Sequence, residues 1–430
     1  MKICFTHFLF IVALLLSTQT FSQRQLPQYL LKIEGVVDID TLENCSFFKE
    51  KYIVFFEQDI DHKNPEAGKF NQRVIISHNG FDKPVTYICE GYEGTYALRK
   101  GFVDELSSIF NTNQILVEHR YFGESKPDSI DWQYLTTYNA ATDHHKIYEA
   151  LKPIYTKNWV STGISKGGQT TMIYNMHYPL DMCASVPIVG PIARDVEDGR
   201  HEAFLKQVGN NKSRKKILNF QKELLKRKES ILPLFKNIIK KSGYTYRLPI
   251  EEIYEYFVLE FSFAFWQWGI DPEKLPSKKD SDEKLLQFLI AVSTPDYFAI
   301  ESGETMLPFF YQAASELGYY GYDTEPLKKY LSIESAEGYL HRIFLPEDMQ
   351  VEFNPETYNK LIEYLNTYAH NTILIYGGYD PWSAAAPDVS KNTKIFKITH
   401  PYGSHGTRIK NLPKEKHEFV IRQLNEWIYK

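Results

Sequence analysis

The sequence predicts an α/β fold in which a mainly parallel sheet, covered by helices on both faces, is interrupted by a helical insertion and then completed. Three observations carry that prediction. Strand-like apolar runs alternate with helix-like stretches over residues 52–189, strand patterns vanish over about 194–346, and the alternation resumes at Thr372. Strands separated by helices of this length pair in parallel and bury both faces of their sheet.

In chain order, residues 52–56 and 73–78 are β-rich, and Asn79-Gly80 marks the turn after the second run. Residues 85–89 form a third strand, ending in Glu90-Gly91-Tyr92-Glu93-Gly94. Residues 102–110 have helical periodicity, and 114–118 make a short buried strand. A helix is expected over 138–154, with Asp143, His144, His145 and Lys146 on its polar side. A fifth strand begins at Trp159, a helix covers 169–177, and 183–189 is a further strand. In the insertion, Ile217, Phe220, Leu224, Ile231, Phe235 and Ile238 recur at helical spacing, and the lysines between them read as a solvated face. Strands at 372–376 and 394–398 and a helix at 414–428 complete the sheet. The expected organisation is a first core part at 23–194, a helical cap at 195–349 and a second core part at 350–430.

Residues 8–16 are an unbroken apolar block behind Lys2, followed by small or polar residues up to Ser22. This pattern is that of a secretory signal peptide over 1–22, and the block is too short to span a bilayer. The expected location is secreted or periplasmic, with no stable membrane insertion after cleavage. Cys4 precedes the block and so is not a lipid-bearing cysteine. Cys45, Cys89 and Cys183 remain, and none is paired at metal-site spacing. Loss of Lys2 leaves 48 of the 49 basic residues against 54 acidic ones, a net charge of −6 that argues against a nucleic-acid partner. Aromatic residues make up 15% of the chain, which fits an enclosed cleft with aromatic walls.

Gly163-Ile164-Ser165-Lys166-Gly167 joins the fifth strand to the following helix. It has the pattern of a nucleophile elbow, where glycines flank a serine because a Cβ would collide with the neighbouring strand and helix. In the α/β-hydrolase fold the acid and the histidine follow after later strands, in that order. Asp380 follows the strand at 372–376, and His405 follows the strand at 394–398. Loops at the carboxyl ends of parallel strands face one crevice, so these three distant residues can meet. Serine needs a base to take its proton; His405 fits that role, and Asp380 fits that of orienting the imidazole. For the oxyanion, the expected donors are the backbone amides of Lys166 and of the loop at Gly91 and Tyr92. No cofactor or metal is expected. His400 competes with His405 as the base, Asp380 also suits a turn cap, and the Lys166 side chain is a less favoured base. His119, His144 and His145 read as structural or exposed.

With these residues in place a family resemblance emerges. The stretch Glu118-His119-Arg120-Tyr121-Phe122-Gly123-Glu124-Ser125 resembles a signature of the serine peptidases that include lysosomal Pro-X carboxypeptidase and dipeptidyl peptidase 2. Tyr379-Asp380-Pro381-Trp382-Ser383 resembles their acid-bearing turn. The segment 159–168 is similar to the nucleophile segment of the secreted bacterial prolyl tri/tetrapeptidyl aminopeptidases. The resemblance covers the hydrolase core and fades in the insertion. Two departures stand out from the lysosomal relatives: Lys166 replaces a tyrosine, and Gly406 follows His405 where they have a second histidine.

The resemblance implies a secreted serine exopeptidase that releases di- to tetrapeptides from a free N-terminus, usually after proline, with Ser165, Asp380 and His405 as its triad. Such an enzyme must bind an ammonium group. Glu90 and Glu93 beside the oxyanion loop, and Glu197 and Asp198 at the cap entry, are the candidate acids, the latter pair preferred. Trp382, or the aromatic cluster at 261–268, would supply an apolar proline pocket. A lipase or carboxylesterase on the same fold, and an inactive peptide-binding protein, are the alternatives.

Overall fold

The computed structural model describes residues 25–430. The expected signal peptide lies outside the described residues. Nine strands form one sheet: β1 (Val36–Thr41), β2 (Glu50–Asp59), β3 (Lys69–His78), β4 (Val85–Cys89), β5 (Asn113–Val117), β6 (Trp159–Ile164), β7 (Ala184–Ile188), β8 (Thr372–Gly377) and β9 (Ile395–His400). Their spatial order is β1-β2-β3-β5-β4-β6-β7-β8-β9. The pairs β1/β2, β2/β3 and β3/β5 are antiparallel, and every pair from β5/β4 to β8/β9 is parallel. With the exchanged places of β4 and β5, this is the α/β-hydrolase architecture.

All the strands expected from the sequence are present, and one more, β1, is added. Its sequence, Val-Val-Asp-Ile-Asp-Thr, has no fully buried residue. An edge strand carries charge against further pairing and so lacks an apolar run to detect. The central strands β4, β5 and β7 are buried at every position. Ile147, Leu151 and Tyr174 cover one face of the sheet against Tyr87 and Trp159. Phe110, Val420, Leu424 and Ile428 cover the other against Val160, Val186 and Ile375.

One expected surface is interior. Asp143 and His144 on helix Thr137–Leu151 are buried, not solvated. The cause is Arg120, itself buried, whose Nε and Nη2 each donate to Asp143 at 2.6 Å. A buried guanidinium requires a carboxylate partner.

Between β7 and β8 the chain is helical and builds its own core from residues between Val208 and Leu345. Helix Ile250–Gln267 is buried at every position from Ile253 to Phe261 and runs through that core, as a largely apolar helix does. Helix Glu356–Thr367 packs instead on helix Lys166–His177, with Leu361 and Leu365 in one cluster with Met172 and Ile173. No described helix is long and apolar enough to cross a membrane.

Candidate active site

Ser165 stands between β6 and helix Lys166–His177 at φ 58° and ψ −122°. A residue with a Cβ is strained there and stays only because its surroundings fix it. Its N–H donates to the Ile188 carbonyl at 2.9 Å, and its own carbonyl accepts from the Gln169 N–H at 3.0 Å. The flanking glycines allow the strand and helix backbones to meet. A Cβ on Gly163 would lie 2.2 Å from the Gly167 oxygen, and one on Gly167 would lie 2.8 Å from the Cys89 oxygen. The Lys166 N–H occupies the first helical position, where no intrahelical acceptor exists and the helix dipole favours negative charge.

The acid and the histidine meet. His405 Nδ1 is 2.8 Å from Asp380 Oδ2, and both residues are buried. Asp380 also caps the turn Pro381–Ala385, accepting from the Trp382 N–H through Oδ1 at 3.2 Å. Its capping and orienting readings are therefore compatible, one oxygen serving each. The loops that carry the two residues are tied by the Tyr379 N–H donating to the Gly403 carbonyl at 2.8 Å. The His405 N–H donates to the Gln267 carbonyl at 2.9 Å, anchoring this loop to the helical insertion. His400 is engaged elsewhere, its Nδ1 accepting from the Tyr402 N–H at 3.1 Å.

The loop after β4 holds a correction. The Gly91 N–H donates to its neighbour Glu90 at 2.9 Å, so it is committed to a carboxylate and not free for an oxyanion. Tyr96 donates to the other Glu90 oxygen at 2.5 Å. Burial pushes the Glu90 carboxyl up, against these hydrogen bonds. Glu90 thus braces the loop, while Glu93 is exposed. The Lys166 side chain is buried and donates through Nζ to the Gly91 carbonyl at 2.8 Å, beside the rings of Tyr92 and Phe122. Burial lowers its pKa to about 7, with Glu90 and Glu316 opposing. The Glu118-His119-Arg120 stretch supports the same loop. Glu118 accepts from the Gly94 N–H at 2.7 Å, pairs with Arg73 and accepts from Ser125 at 2.8 Å, while the His119 N–H donates to the Tyr92 carbonyl at 3.2 Å.

A cavity of about 290 Å³ opens beside Ser165 under the helical insertion, and Tyr92, Trp268, Phe309, Tyr319 and Trp382 form part of its wall. Trp268 also stands edge-on to His405, with ring centres 6.2 Å apart, so the histidine adjoins this cavity. Of the aromatic cluster at 261–268, Trp268 reaches the cavity, whereas Phe261 and Phe265 belong to the helical core.

The preferred ammonium-binding acids are elsewhere. Glu197 accepts from the Gly338 N–H at 2.6 Å. Asp198 is buried and held by Arg200, whose Nη2 donates at 2.5 Å, and by the Arg194 N–H at 3.0 Å. Burial works to raise its pKa, but Arg200 and the backbone amides hold it at about 2. Neither carboxylate lines the Ser165 cavity. Glu260, which is not among the acids expected from the sequence, does. Its only sequence signal is a charge within the apolar run of helix Ile250–Gln267. Glu255 carries the same signal but pairs with Lys228, so packing alone separates the two.

A family model described as PS-10 peptidase S37 matches residues 24–428. A prolyl tri/tetrapeptidyl aminopeptidase of Streptomyces mobaraensis is 29% identical over 95% of this chain and 86% of its own length. A probable serine protease of Arabidopsis thaliana is 22% identical over 84% of this chain and 81% of its own. Lysosomal Pro-X carboxypeptidase of Homo sapiens is 26% identical over 34% of this chain and 32% of its own. Among solved structures, a proline iminopeptidase of Mycobacterium smegmatis covers 83% of this chain and 96% of its own, at a TM-score of 0.42 and 12% identity. With the family model spanning nearly the whole sequence, the chain belongs to the PS-10 peptidase S37 family and is a serine peptidase.

Proposed function

We propose that this peptidase is a secreted aminopeptidase that releases di- to tetrapeptides from free N-termini after proline, using Ser165, His405 and Asp380. The observation that carries this reading is the 2.8 Å His405–Asp380 contact beside a walled cavity that opens on the strained Ser165. The Streptomyces relative, matched over most of both chains, supports the proline and N-terminal preferences. The apolar block at 8–16 supports export.

In this mechanism His405 Nε2 takes the Ser165 Oγ proton as Oγ attacks the carbonyl carbon of the scissile bond. Asp380 accepts the Nδ1–H and stabilises the imidazolium. The Lys166 amide donates to the oxyanion. As the C–N bond breaks, His405 returns the proton to the leaving amine, leaving the released peptide esterified to Oγ. Water, deprotonated by His405, then hydrolyses the ester. The helices at 195–349 act as a cap that excludes longer chains, and Trp382 forms a wall of the proline pocket.

Release of 4-nitroaniline from Ala-Ala-Pro substrates with free and acetylated N-termini tests the reading. The wild type should cleave the free substrate, and Ser165→Ala should lose about 10⁴-fold or more in kcat. Equal cleavage of both substrates would remove the aminopeptidase part. Undiminished activity of Ser165→Ala would remove the mechanism.

A further inference from the structure

Glu260 is an unusual carboxylate. It lies on helix Ile250–Gln267, 4% exposed, and faces the cavity that Ser165 also lines. Tyr320 and Tyr322 donate to its Oε2 at 2.9 and 2.8 Å. Among the described residues, nothing donates to Oε1 and no cation pairs with the group. The other buried carboxylate of the same helix, Glu255, is paired with Lys228 at 2.5 Å.

A carboxylate taken out of water without a cation is costly, and the usual remedy is a partner in the fold. Here the fold supplies two phenols and leaves one oxygen open. Tyr297 extends the arrangement by bonding to Tyr319 at 2.8 Å and Tyr320 at 2.7 Å, which fixes Tyr320, one of the two phenols that hold Glu260. Tyr297, Phe309, Tyr319 and Trp382 also line this cavity, and aromatic rings attract a cation once it is desolvated. Burial pushes the Glu260 carboxyl up to about 8, against the hydrogen bonds from Tyr322 and Tyr320, as expected of a desolvated acid with no cation beside it.

We infer that Glu260 binds the α-ammonium group of the peptide substrate, with Tyr320 and Tyr322 holding its carboxyl in position. The inference rests on the aminopeptidase reading above and names the residue that enforces it. The ammonium donates to Oε1, and the peptide then runs from Glu260 towards Ser165. The span between these residues sets how many residues precede the scissile bond. Asp296 also lines the cavity but is half-exposed, so it meets a hydrated environment and serves as the comparison.

The experiment measures kcat/KM on free and acetylated Ala-Ala-Pro 4-nitroanilides for the wild type, Glu260→Gln and Asp296→Asn. Fluorophosphonate labelling of Ser165 reports on the fold and the nucleophile in each. For Glu260→Gln, the free-substrate value should fall by about 10²-fold, with the acetylated value and the labelling rate unchanged. Asp296→Asn should retain the wild-type ratio. If Glu260→Gln is not labelled, Glu260→Asp, which only shortens the reach, takes its place and should lose about 10-fold on the free substrate alone. A wild-type ratio in either labelled Glu260 variant, or a lost ratio in Asp296→Asn, overturns the assignment while leaving the aminopeptidase reading intact. No preference in the wild type overturns both.

Discussion

Lys166 Nζ donates to the Gly91 carbonyl oxygen at 2.8 Å, so the residue after the elbow serine fixes the loop across the cleft. The turn at Ser165 and the loop after β4 are therefore set by one side chain. Lys166 acts on that loop through its side chain and at the helix start through its backbone amide.

Replacing Lys166 with Met removes the tie and leaves the Gly91 carbonyl without its donor. We expect kcat to fall by about 10²-fold with KM little changed, because the loop is mispositioned while the cavity walls remain. The same variant tests a pH effect. The Lys166 pKa is about 7 when folded, below the ordinary lysine value of about 10.4, so the unfolded chain binds more protons between these values. This group's contribution to stability therefore rises with pH in that window and is lost as pH falls through about 7. Urea midpoints at pH 7, 8 and 9 should show the wild type gaining on Lys166→Met by at most about 1.4 kcal/mol per pH unit. A constant difference would contradict a depressed lysine.

Asp380→Asn keeps the shape of the turn but cannot hold the His405 tautomer. A loss of about 10⁴-fold in kcat is expected, with near-native circular dichroism. Stopped activity assays on purified variant against wild type check this. His400→Ala should change kcat less than threefold, since its ring nitrogen is occupied by the Tyr402 amide.

Gly163→Ala places a methyl group 2.2 Å from the Gly167 oxygen and 2.6 Å from the Cys89 oxygen, both backbone atoms. Strand and helix must separate, at a cost of about 3 kcal/mol. Chemical denaturation should show the loss of stability, and fluorophosphonate should label Ser165 more slowly in the folded fraction.

Asp198→Asn separates structural from binding roles. Its carboxylate is held by Arg200, and the variant should lose about 2 kcal/mol of stability while keeping the wild-type preference for free over acetylated substrate. The folded pKa of about 2 lies below the ordinary aspartate value of about 3.9. The stabilising contribution is thus complete above about pH 4 and is lost as pH falls through 2. Thermal melts between pH 5 and pH 2 should bring the wild type and Asp198→Asn together at the acid end.

The local requirements of the elbow were legible in the sequence. Gly163 and Gly167 flank Ser165 because the backbones touch, and Asp380 and His405 follow strands whose apolar runs are continuous. Periodicity gave the sheet for the same reason, since β4, β5 and β7 are buried on both faces. β1 escaped because an edge strand has no such run. Asp143 and His144 are interior against their periodicity, which assumes that a charge seeks water and does not reveal that Arg120 is buried beside Asp143.

Sequence by itself determined the hydrolase order, the elbow and the acid–histidine pair, since each rests on residue types at short range or after a recognisable strand. Only the tertiary structure decided which buried carboxylate faces the cavity. Glu197, Asp198, Glu255 and Glu260 are alike as sequence; a Gly338 amide, Arg200 and Lys228 engage the first three, while Glu260 meets two phenols beside Ser165. The physical reason is that a charge's role is set by the partners folding brings to it, and those partners lie up to 141 positions away in the chain.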